Sequence, residues 1–144
     1  MPSLAGDLSK VLEQFAGASG FSQENPLTIH FRPGTMGLHR FGRAADIYAV
    51  GGKGVGEWAR EWNEAMRRAA AESNPQERER IVAEEKARNL GYKLYKALQA
   101  HGRWAQPPGY PVQLFGPWTR IEGPHTAISD RLLSMHWDHI HVAK

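Results

Sequence analysis

Two kinds of hydrophobic periodicity divide this chain, helical through the middle and strand-like on either side. From about Val55 to Ala71 a helical pattern sets Trp58, Trp62, Ala65 and Ala69 on one face. Asn74-Pro75-Gln76-Glu77 is a strong helix start, with an Asn cap, proline in the first turn and a glutamate three residues after the cap. The helix it opens is expected to bury Ala83, Ala87, Leu90, Leu94 and Leu98 and to end at Gly102. Ahead of this block, Leu4, Leu8, Val11, Leu12 and Phe15 predict a first helix, ended by the stretch from Gly17 to Gly20. Leu27 to Phe31 reads as a short strand stopped by Arg32-Pro33-Gly34, and Ala44 to Val50 as a second strand broken by the glycines that follow. Beyond the helices, prolines and glycines dominate from Trp104 to Pro124, with one strand near Pro111–Phe115, and His136 to Val142 should close as a strand. Helices in the middle with short strands at both sides predict an α+β domain: a small, mainly antiparallel sheet with flanking helices.

A chain of 144 residues holds one core, so residues 1–144 are read as a single domain. Its 41% hydrophobic and 23% charged residues are those of an ordinary globular protein. The net charge of +3 is a mild basic bias, suited to contact with anionic polymers without choosing among them. No cysteine is present, which excludes disulfide frameworks, thiolate zinc sites and cysteine nucleophiles. The first residues lack a basic start followed by an apolar run, so no signal peptide is expected. No apolar stretch approaches the ~20 residues needed to cross a bilayer. A soluble protein is expected, exported by something other than its own N-terminus if it works outside a cell.

The chemistry concentrates in two clusters. Three of the seven histidines fall in the last nine residues, at His136, His139 and His141, and a second group runs from His39 to Asp46. Alternate residues of a strand share a face, so His139 and His141 point one way while Ile140 and Val142 point the other. Asp46 sits in an otherwise apolar strand, where burying a carboxylate is costly unless a partner or metal compensates. Small Ala44 leaves room beside it, and Gly42 permits a bend that brings His39 back towards Asp46. Two neutral imidazoles and one carboxylate with an open fourth position make a standard catalytic zinc set.

Simpler readings compete. A His-x-His pair is more often surface or structural than metal-binding, and an isolated strand Asp more often pairs with an arginine, here Arg32 or Arg43. His101 is expected at a helix C-terminus, where a cation is favoured. His30 and His125 carry no signal above that background. Trp58 and Trp62 read as core, and the charge run from Glu77 to Arg88 as a solvated helix face.

The segment His39-x-x-Gly42-x-Ala44-x-Asp46 resembles the first signature of the LAS metallopeptidases, the superfamily of lysostaphin, D-alanyl-D-alanine peptidases and the hedgehog fold. Their second signature is a late His-x-His, or an acidic residue three before the ligand histidine, and Asp138-His139-Ile140-His141 satisfies both forms. The resemblance implies a hedgehog/D-Ala-D-Ala peptidase-like fold and zinc (Zn2+) held by His39, Asp46 and His141. It also implies hydrolysis of peptide bonds in bacterial peptidoglycan stems or cross-bridges. His136 resembles a further histidine near the site in the murein endopeptidase branch, and Arg32 is a candidate for binding a substrate carboxylate. Endolysins of about this size lack their own signal peptide, which would fit this N-terminus. The implied workplace is then the bacterial cell wall, reached by release or by another delivery system, with the chain acting as a monomer. Gly37 stands where the signature usually begins with serine, a residue that helps hold substrate in the carboxypeptidase branch. That departure favours an endopeptidase.

Two residues compete as the base that activates water. Strand alternation favours His139; the resemblance favours Asp138, provided regular strand begins after it, and Asp138 is placed slightly ahead. Then His139 would stabilise the oxyanion or hold the water. Two other readings differ in class. An HNH-like nuclease is suggested by Asp138-His139-Ile140 and the basic charge. Its motif needs a helix and further ligands downstream, where three residues follow His141, so no nucleic-acid partner is expected. A non-catalytic metal-binding domain of the same fold would have little use for both Asp138 and His139.

Overall fold

The computed structural model describes residues 4–19, 28–30, 44–102, 104–106, 112–119 and 130–144. Helix α1 spans Leu4–Ser19 and is followed by strands β1 (Thr28–His30), β2 (Ala44–Val50) and β3 (Lys53–Gly54). Helices α2 (Val55–Ala71), α3 (Pro75–Arg88) and α4 (Leu90–His101) come next, then β4 (Leu114–Phe115), α5 (Asp130–Met135) and β5 (Ile140–Ala143). The fold is α+β. Its sheet runs in the order β1-β2-β5-β4, every pairing is antiparallel, and β3 folds back on the end of β2. Among the described residues no helix is long and apolar enough to cross a membrane.

The last strand, β5, enters the centre of the sheet beside β2. β2 pairs with β5 so that Ala45 faces Val142 and Ile47 faces Ile140, and all four are fully buried. Directly opposed residues lie on one face of a sheet. These four turn that face towards Trp58, Trp62, Leu94, Tyr95 and Leu98 from α2 and α4. Burying a large apolar side chain of this kind contributes roughly 1.5–3 kcal/mol. Leu4, Leu8 and Val11 bring α1 onto the same core, at the spacing read from the sequence. Two glycines reverse the chain between β2 and β3. Gly51 and Gly52 have φ of 62° and 76°, the left-handed pair that a two-residue hairpin loop requires. The indole N–H of Trp58 then donates to the Val50 carbonyl at 2.9 Å and pins α2 to the end of β2.

Two expectations need correction. The helix predicted from Pro75 to Gly102 is two helices, broken at Asn89. The Asn74 cap holds, its side chain accepting from Gln76 N–H and Glu77 N–H. Asn89 is a second cap of the same kind, fully buried. Its Oδ1 accepts from Tyr92 N–H at 2.9 Å while its amide donates to the Trp58 carbonyl and to Glu85 Oε1, both at 2.8 Å. The break turns Ala83 and Ala87 out to solvent, while Leu94 and Leu98 stay buried. The charge run is mostly solvated, but Glu85 turns inward beneath Arg88 and Asn89. The last strand is also shorter than His136–Val142. It starts at Ile140, and His136 to His139 form the approach to it.

Candidate metal centre

The polar side of the sheet is built by the same register that builds the core. Where Ala45 and Ile47 point inward, the alternate residues Ala44 and Asp46 point to the other face, and β5 sets His141 directly opposite Asp46. The Asp46 carboxylate is therefore placed in the central strand with 2% exposure. Nδ1 of His141 lies 3.1 Å from Asp46 Oδ1, and Nε2 of His139 lies 3.8 Å from that same oxygen. β5 begins only at Ile140, but His139 keeps the face that alternation shares with His141, and both imidazoles reach one carboxylate.

The far sides of the two rings are also engaged. His141 Nε2 is 3.3 Å from Gln113 Oε1, and His139 Nδ1 is 2.8 Å from Asp138 Oδ1. Each ring therefore stands between two oxygen acceptors, Asp46 on one side and Gln113 or Asp138 on the other. A neutral imidazole has only one N–H. His139 makes its shorter contact to Asp138, and His141 makes its shorter contact to the charged Asp46. Asp46 and His141 are two donors of the kind that zinc takes.

Aromatic rings close the surroundings. Phe115 stacks on His141 with ring centroids 5.6 Å apart, and the β4–β5 register sets these two residues opposite each other. His136 is buried among Phe115, His139 and His141, with its centroid 5.0 Å from that of His139 and 5.4 Å from that of His141. Tyr48 lies against His139 at 4.9 Å.

The structure thus brings together Asp46, His136, Asp138, His139 and His141. The third expected ligand, His39, and the candidate carboxylate-binding Arg32 lie outside the described residues, as does Arg43. Among the described residues no group of three histidine or acidic side chains is arranged to hold a metal. The chain matches no family model, no curated protein and no solved structure. The likeness to metallopeptidases therefore stays with the motif residues themselves.

Sequence reasoning missed three members of this neighbourhood. Gln113 and Phe115 fall within the segment read as a strand, but only the pairing of β4 with β5 shows which residues they meet, and a two-residue strand carries no such signal. His30 carries no signal in the sequence. The β1–β2 register makes it the Cα partner of Asp46, on the opposite flank from His141. A register shift between Thr28 and Ile29 decides that placement, and no periodicity in so short a strand reveals it.

Proposed function

We propose that this chain is a zinc-dependent peptidase that hydrolyses peptide bonds of bacterial peptidoglycan at the cell wall. One observation carries the reading: the β2–β5 register sets buried Asp46 against His141, with His139 turned to the same carboxylate oxygen. Asp46 and His141 would hold the zinc, with His39 supplied by the segment that enters β2, as the resemblance implies. When bound there, zinc supplies a positive centre that acidifies water and polarises the scissile carbonyl.

The chain's own residues divide the remaining work. Asp138 fixes the His139 tautomer through the 2.8 Å contact at Nδ1, so Nε2 faces the reacting side as a lone pair. His139 then takes the proton from the attacking water and returns it to the leaving amine. Asp138, the other candidate base, has its carboxylate bonded to His139 and is 42% exposed at the side chain, which favours His139 for the proton transfer. Protonated His139, close to the buried Asp46, would also steady the anionic oxygen of the transition state. His136 and Phe115 wall the site and keep its dielectric low. Gly37, in place of the serine that helps carboxypeptidase relatives hold substrate, supports an endopeptidase.

Mass spectrometry of muropeptides released from purified sacculi tests this function. New amino groups should appear, a chelator should abolish them and added zinc should restore them. New reducing sugar ends instead would mean a glycosidase and would end the peptidase reading.

A further inference from the structure

The large hydrophobic side chains of the folded core are hidden, and two beside the candidate centre are not. Met135 is 58% exposed and Trp137 55%, whereas Trp58, Trp62, Trp104 and Trp118 are each 7% exposed or less. Trp137 immediately precedes Asp138. Its indole forms one wall of a cleft of about 440 Å³ between α2 and the approach to β5. Ala59, Pro117 and Leu133 add apolar lining, while Arg60 and Asn63 from α2 supply the polar groups. A cleft of this size, mostly apolar with few polar groups, has the usual make-up of a ligand site.

The cleft and the catalytic pair are held as one unit. A Cβ on Gly56 would stand 3.1 Å from the Trp137 ring and 3.2 Å from the Asp138 Cβ, so the missing side chain lets residues 137 and 138 lie close on α2. Arg60 is exposed and makes no hydrogen bond or ion pair among the described residues, whereas the guanidinium groups of Arg78, Arg80 and Arg88 are all engaged. A guanidinium without a partner among the described residues, in a cleft with apolar lining, suits a ligand that combines a carboxylate with aliphatic surface.

We propose that this cleft is a substrate subsite for an anionic peptide strand, with a free carboxylate of the strand on Arg60 and its aliphatic part on Trp137. The proposal rests on the peptidase reading and locates its substrate. Peptidoglycan stems carry such carboxylates, and the chain's net charge of +3 is complementary to them.

Because the other described tryptophans are buried, acrylamide quenching reports chiefly on Trp137. The probe is the free stem tetrapeptide, mixed with the zinc-loaded protein and read in the first seconds. The tetrapeptide should shield Trp137 from acrylamide. Amidating its carboxylates, or the Arg60→Ala substitution, should weaken that binding about tenfold, and Arg60→Lys should recover part of it. With a soluble muropeptide as substrate, Arg60→Ala should raise KM about tenfold and leave kcat within about twofold, the pattern of lost uniform binding. No shielding in the native protein, or equal shielding by the amidated peptide, overturns the proposal. Shielding without any hydrolysis would keep the cleft and remove the peptidase reading. Hydrolysis with a KM unmoved by Arg60→Ala would do the reverse.

Discussion

Two imidazoles that differ in backbone setting both reach a single oxygen of Asp46. His141 reaches it by register and His139 by standing just before the strand. That difference bears on the base. If His139 transfers the proton, His139→Ala should cost roughly 10²–10⁴-fold in rate and abolish the acidic limb of the kcat/KM profile. Asp138→Asn should slow the enzyme but keep that limb, since the imidazole remains. A limb lost in Asp138→Asn and kept in His139→Ala would return the base to Asp138. The sequence made Asp46, His139 and His141 legible through motif and alternation, and it made the rivalry at residues 138 and 139 legible too. It did not show that the rivals touch. A contact between adjacent side chains depends on where the strand begins, and the four-residue difference between His136 and Ile140 as its start leaves no mark on periodicity.

Helix and strand boundaries show the same division between local and tertiary information. α1, β2 and α2 fall where the periodicity places them, because each is long enough for its apolar face to repeat. The Asn74-Pro75 start is equally legible, since a cap acts within a few residues. Asn89 is chemically the same signal, yet it lies inside a continuous apolar repeat. Its role emerges only from the Trp58 carbonyl on α2, which is 31 residues away in sequence. Asn89→Ala would remove the α4 cap and leave the Trp58 carbonyl without this donor in a buried setting. A loss of about 1–3 kcal/mol in denaturant unfolding is expected. A change below about 0.5 kcal/mol would mean that α3 and α4 do not depend on this joint.

At the scale of the whole molecule, contacts distant in sequence close the fold twice: once where β5 enters the sheet, and once where Lys144 and His101 meet Asp7 of α1. Asp7 is fully buried, accepts from Lys144 and lies 3.2 Å from His101 Nε2. The hydrogen bond from Lys144 holds the Asp7 carboxyl below its usual range, against the opposing push of burial and with the help of His101. A carboxyl lowered in the folded state stabilises it above the unfolded value of about 3.9, and that stability is lost as pH falls through the lower folded value. Unfolding midpoints of the native protein should therefore drop below about pH 4. Asp7→Asn should be less stable at neutral pH and show a shallower drop across that window; parallel curves would show that the tie carries no linkage. The other closure, β5 against β2, builds the site on which the proposed function rests. Elemental analysis of gently purified protein measures it most directly. About one zinc per chain is expected, and His141→Ala should lose most of it while its circular dichroism stays native. Full zinc occupancy in a folded His141→Ala protein would contradict the account.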